Sequence, residues 1–81
     1  LWANRAAAHL ELKNFEAAYK DARMSKSLDK AYLKAHYRLA QALYGLGSLF
    51  GAKNACIDAL EISPTDPTIL ALFADINKKL A

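Results

Sequence analysis

Displaced by 34 residues against itself, the chain brings its small and apolar positions into register. Ala6 falls on Ala40, Ala8 on Ala42, Leu12 on Leu46 and Ala18 on Ala52. Looser matches lie between them: Phe15 on Leu49, Ala22 on Cys56, Ser25 on Ala59 and Leu28 on Ile62. A second displacement of the same length carries His36 to Leu70, Leu39 to Phe73, Ala40 to Ala74 and Leu46 to Leu80. Self-similarity at a fixed period of this size means a stack of like units. Each is too small to bury its own apolar face, and its neighbour completes it.

Inside the repeat the spacing is helical, and the fold expected is all-α with about five antiparallel helices. The first runs from Trp2 to Leu12, with Asn14 marking the turn. The second covers Glu16 to Leu28, its Ala18, Ala22 and Ser25 on one face. The third starts near Ala31 and ends at Gly45-Leu46-Gly47, where glycine lets the chain leave the helix. The fourth spans Leu49 to Ile62 and stops at Ser63-Pro64. Asp66 is placed to cap the fifth, with Pro67 at its first position, where a missing N–H costs nothing. Ala6, Ala40, Ala74, Ala18 and Ala52 are expected where helices cross closely. Phe15, Tyr19, Leu43, Leu60 and Phe73 are expected to fill the adjoining gaps. Ile69, Leu70, Leu72, Phe73, Ile76 and Leu80 form an apolar stripe on the last helix, which reads as a cap over the stack.

At 81 residues and 54% hydrophobic, the chain is long enough for one small domain and too apolar for disorder. No apolar run approaches the roughly 20 residues of a membrane span, and no basic-then-apolar leader opens the sequence. A cytoplasmic setting, or a nuclear one, is expected. One cysteine, Cys56, and two distant histidines make neither a disulfide nor a zinc set, and no cofactor is expected. The net charge of +3 is spread, Lys13, Lys20, Arg23, Lys26 and Lys30 alternating with Glu11, Glu16, Asp21 and Asp29. This reads as a solvated face laced with exposed ion pairs. Nucleic-acid binding needs a denser basic stripe or aromatics placed for stacking. Ser25, Ser27, Ser48 and Ser63 have no base at a nucleophile's spacing, and Gly45, Gly47 and Gly51 fit no phosphate loop. The chain is not expected to be an enzyme.

Lys34 and Arg38 stand four residues apart, so they share one helical face, and neither has a carboxylate three or four residues away. Such a pair suits an external anion: arginine offers a planar fork for a carboxylate, lysine a mobile point charge. Asn4 lies one repeat before Arg38 in register and offers donor and acceptor together. On chemistry alone, the three can equally be surface polar residues with no shared role.

The period and the degraded signature resemble the tetratricopeptide repeat. The second copy has Leu39, Ala40, Leu43, Ala52, Ala59 and Pro64. The first has Trp2, Ala6, Phe15, Ala18 and Leu28, with Lys30 where the closing proline belongs. The segments Asn4-Arg5-Ala6-Ala7-Ala8 and Lys34-x-x-x-Arg38 are similar to the dicarboxylate-clamp class of these domains. That class occurs in co-chaperones that bind the Glu-Glu-Val-Asp tails of seventy- and ninety-kilodalton heat-shock chaperones. The resemblance implies an αα-superhelix: one repeat over residues 1–32, a second over 33–66, and a capping helix over 67–80. It implies a groove lined by the first helix of each pair: Asn4, Ala7 and Glu11, then Lys34, Tyr37, Arg38, Gln41 and Tyr44. These positions are expected to be free of packing duty. Asn4, Lys34 and Arg38 match three of the five clamp residues, Ala7 borders the groove, and the first-repeat lysine and asparagine have no counterpart. His9, His36 and Cys56 fall at core positions. The abrupt opening at Leu1 and Trp2 reads as an excerpt with a repeat missing before it, open to self-association. The rival reading is a generic repeat scaffold that assembles an unrelated complex without a clamp.

Overall fold

A computed structural model describes residues 2–81, and the reading placed on Leu1 lies outside them. Five helices follow one another: α1 (Trp2–Glu11), α2 (Phe15–Leu28), α3 (Leu33–Gly45), α4 (Leu49–Ile62) and α5 (Pro67–Leu80). No described residue is in a strand. Each helix packs on the next, and the odd-numbered ones also touch, α1 with α3 and α3 with α5. The result is two layers: α1, α3 and α5 side by side, with α2 and α4 behind them.

Alanine makes this stacking possible. Ala6, Ala18, Ala22, Ala40, Ala52 and Ala59 are completely buried, and a methyl side chain lets two backbones approach where a larger one would hold them apart. Tyr19, Leu43, Leu60 and Phe73 pack around that seam, as expected, together with Leu33, Leu72 and Leu80. Ala74 departs from the register and is exposed. Its counterparts Ala6 and Ala40 sit in helices that are each followed by a hairpin partner, whereas no described helix covers that side of α5. Leu70 is 42% exposed for the same reason, while Ile69 and Ile76 carry the buried stripe.

The turns fall at the expected places. Asn14 lies in the turn between α1 and α2, as expected, and the left-handed residue there is Lys13 (φ 58°). Gly47 (φ 81°) is the glycine that releases the chain after α3. Gly45 is still helical, and its missing side chain makes room for the Phe15 ring at the start of α2. Lys30 replaces a proline in the α2–α3 turn, and His36 Nε2 secures that turn by donating to the Lys30 carbonyl at 2.7 Å. Asp66 does cap α5: its Oδ1 accepts from the Thr68 amide at 2.9 Å and the Ile69 amide at 3.1 Å, with Pro67 first in the helix.

Candidate functional site

The front layer presents two helix faces. On α1, Asn4 is exposed and Ala7 is half-buried one turn further on. On α3, Lys34, Tyr37, Arg38 and Gln41 recur at helical spacing, with Tyr44 below them. Lys34, Tyr37 and Arg38 line one cleft of about 270 Å3 at the junction with α5, where Asp66, Thr68 and Ile69 close its far wall. Lys34 is exposed and Arg38 half-buried. Among the described residues, neither is within 4.0 Å of a carboxylate oxygen.

Arg38 is held in place by its own helix. Its Nη1 donates to Gln41 Oε1 at 3.0 Å, and its guanidinium lies 5.4 Å from the centre of the Tyr37 ring. These neighbours leave the remaining N–H groups of the fork free to donate outward. Asp66 is the one carboxylate lining the cleft, and one of its oxygens is already engaged by two backbone amides. The cleft thus keeps an excess of positive charge.

A second cleft, of about 400 Å3, crosses the front layer beside the first. Leu10 of α1, Gln41 and Tyr44 of α3 and Leu72 of α5 line it, with Phe15 and Gly45 at its base. Gln41 links the two, since it bonds Arg38 and lines the apolar cleft. Asn4 and Ala7 line neither cleft, so the structure groups Lys34, Tyr37, Arg38 and Gln41 and leaves the α1 residues apart. Tyr37 and Tyr44 also pack against the core, contrary to the expectation that groove positions carry no packing duty.

The main polar interaction of the front hairpin was not visible in the sequence. Arg5 grips Asp21 with both arms of its guanidinium, Nη2 to Oδ1 at 2.7 Å and Nε to Oδ2 at 2.8 Å. Asp21 is only 5% exposed, so it does not belong to the solvated face assigned to it. Its partner is 16 residues away on the facing helix, a separation that no single-helix periodicity reports. The Arg5 guanidinium holds the Asp21 carboxyl below the usual carboxylate range, and the Asp21 carboxylate in turn raises Arg5. His9 is half-buried, its Nε2 3.5 Å from Asp21, so only His36 is the packed imidazole expected of both. Cys56 is fully buried, as expected, and burial pushes its thiol up to about 11. No three His, Cys, Asp or Glu side chains among the described residues gather to hold a metal ion. No described helix is long and apolar enough to cross a membrane.

No family model matches the chain. Individual proteins do. The chain is 35% identical over 80 residues to the Hsp70/Hsp90 co-chaperone CNS1 of Saccharomyces cerevisiae, covering 98% of this chain and 21% of that protein. It thus spans about a fifth of the length of the curated relatives it matches. Among solved structures, it superimposes on the first tetratricopeptide domain of Spaghetti (RPAP3), bound to the HSP90 peptide SRMEEVD, with a TM-score of 0.94. Identity there is 30%, over 98% of this chain and 63% of that one. The second such domain of human RPAP3, in complex with the HSP70 peptide SGPTIEEVD, matches with a TM-score of 0.91 at 33% identity, over 94% of this chain and 63% of that one. The repeat-length register, the two-layer stack of hairpins and these likenesses agree: the chain belongs to the tetratricopeptide-repeat family and is homologous to the tetratricopeptide domains of co-chaperones.

Proposed function

We propose that this chain is the peptide-reading part of a co-chaperone. Its ligand in this reading is the acidic C-terminal tail, of the Glu-Glu-Val-Asp type, of a seventy- or ninety-kilodalton heat-shock chaperone, met in the cytoplasm. Lys34 and Arg38 hold the carboxylates of the terminal Asp, Asn4 adds a hydrogen bond from the neighbouring helix, and Ala7, Tyr37 and Gln41 line the path of the tail. The units are a repeat over residues 1–32, a repeat over 33–66 and a capping helix over 67–80.

The observation that carries this reading is the cleft between α3 and α5. Two cations one helical turn apart face it, no carboxylate among the described residues lies within 4.0 Å of either, and Gln41 and Tyr37 hold the arginine fork in place. A fork fixed before the ligand arrives loses little freedom on binding. That RPAP3 domains of the same fold are seen with peptides ending in EEVD supports the same choice of ligand.

Titration calorimetry of the intact protein with a peptide ending in Glu-Glu-Val-Asp tests it, using the free acid and its C-terminal amide. The free acid binds more tightly, because amidation removes one of the two carboxylates held. A hydrogen bond to a charged group contributes roughly 1.5–3 kcal/mol, so Arg38→Ala weakens binding by about tenfold or more. The loss shrinks as salt is added. Equal affinity for both peptides, or unchanged binding by Arg38→Ala, sinks the clamp and leaves a scaffold repeat.

A further inference from the structure

We infer that the back of the stack carries a second binding surface, which takes an acidic polypeptide segment in extended form along α2. A cleft of about 670 Å3 lies there, apart from the front groove. Arg23 and Lys26 of α2 and Lys30 of the turn after it form one wall, Leu39 and Leu43 of α3 lie on its floor, and the small Gly51 of α4 keeps the other side open. Three cations line it and no carboxylate does. Arg23 and Ser27 continue into a shallower hollow with Lys20 and Met24, again without a carboxylate. On α3, Leu39 and Leu43 point about half a turn away from Lys34 and Arg38, so this surface is separate from the proposed tail-binding cleft.

The lining of these two hollows is one-sided for a reason found only in the fold, while Lys26 and Lys30 also border a neighbouring hollow with Asp58 and Glu61. Along the sequence Asp21 balances its neighbours Lys20 and Arg23. In the structure it turns inward to Arg5, and one oxygen of Asp29 is engaged by the Ala31 amide. The remaining contact across the cleft wall is Lys26 Nζ to Asp58 Oδ2 at 3.7 Å, between two half-exposed side chains, and such a pair is weak. Lys20, Arg23 and Lys26 are then a cationic rail about 9 Å long, from six residues of helix rise, and Lys30 extends it from the turn after α2. About three residues of extended chain span the helical part of that rail, and the next reach Lys30.

The occupant is polypeptide and not nucleic acid because the cleft has no free aromatic face for a base. Its one ring, Tyr19, is already covered by Arg23, whose guanidinium lies 5.5 Å from the ring centre. The apolar floor of Leu39 and Leu43 suits a segment in which an aliphatic residue alternates with carboxylates. A free C-terminus is not needed, which distinguishes this surface from the front groove.

Fluorescence anisotropy decides it, with a labelled peptide Glu-Leu-Glu-Asp-Leu-Glu-Glu blocked at both ends and the intact protein. Binding is expected, weakening as salt rises. The reversal Arg23→Glu with Lys30→Glu weakens it at least tenfold. The reversal Lys78→Glu with Lys79→Glu, of equal charge, and the pair Lys34→Ala with Arg38→Ala each change it less than twofold. Arg23→Ala with Lys30→Ala serves if the reversal loses helicity by circular dichroism, and weakens binding at least threefold. Absence of binding, an equal loss in both charge reversals, or tighter binding of a single-stranded oligonucleotide of matched charge overturns the inference. Loss of binding in the Lys34 and Arg38 pair instead assigns the peptide to the front groove and overturns it as well.

Discussion

Asp21 joins the first hairpin through charge where most of the seam is held by methyl groups. Arg5 reaches it with two hydrogen bonds while its guanidinium stacks 4.6 Å from the centre of the Trp2 ring, so one side chain ties the start of α1 to the middle of α2. Hydrogen bonding from Arg5 is the main cause of the lowered Asp21 carboxyl, with smaller contributions from the charges of Arg5 and His9. The sign follows. A carboxyl held lower in the folded state than in the unfolded chain binds fewer protons when folded. Its stabilisation is present above the ordinary carboxylate range and is lost as pH falls through the lowered value. Asp21→Asn is therefore less stable than the unaltered protein at about pH 6, and the gap in Tm narrows towards about pH 3. Thermal unfolding followed by circular dichroism at both values checks this. Parallel curves at every pH would show that the pair contributes nothing.

Between elements, α2 and α3 meet where the Phe15 ring lies over Gly45. A Cβ on residue 45 would collide with that ring, in a helix that cannot move without shifting Ala40 and Ala42 from their buried places. Gly45→Ala costs about 1–3 kcal/mol by overpacking, read from urea unfolding. Adding Phe15→Leu to the Gly45→Ala protein recovers part of that loss, because the two positions are in contact and couple. An additive double variant would place the strain elsewhere. The same position shows what the sequence could and could not convey. The helices were legible because apolar residues recur at helical spacing, and α5 because Asp66-Pro67 is a local capping signal. Lys34, Tyr37, Arg38 and Gln41 were legible as one face for the same reason. Gly45 opens the break that ends α3, as its sequence suggests, but its second role of admitting the Phe15 ring depends on a residue of another helix. Asp21 was read as solvated because Arg5 comes to it across a hairpin. Asp66 reaches the cationic cleft only once α5 has docked on α3, which no local pattern records.

Taken whole, the molecule has few large buried groups. Apart from Ile76, the largest fully buried side chain is Cys56, and much of the remaining core is alanine. A stack of this kind is held by nearest-neighbour contacts, so each helix depends on the ones beside it. Cys56 lies in the core cluster with Ile69 and Ile76 of α5 and Leu39 of α3, at the place where the second hairpin meets the last helix. Its thiol is both inaccessible and pushed up to about 11 by burial, whereas the reacting species with a disulfide reagent is the thiolate. A thiol raised in the folded state contributes stability that is whole below its ordinary range and lost as pH climbs towards 11. At neutral pH, then, Cys56 reacts only when the α4–α5 contact opens, and its labelling rate measures that opening. Native protein mixed with an aromatic disulfide reagent should label slowly, and protein in urea at once. A ligand bound to the α3–α5 cleft should slow the native rate further, because it favours the closed stack. Immediate labelling of the native protein would mean that α5 is not held on α4, and the wall that Asp66, Thr68 and Ile69 give the cationic cleft would go with it.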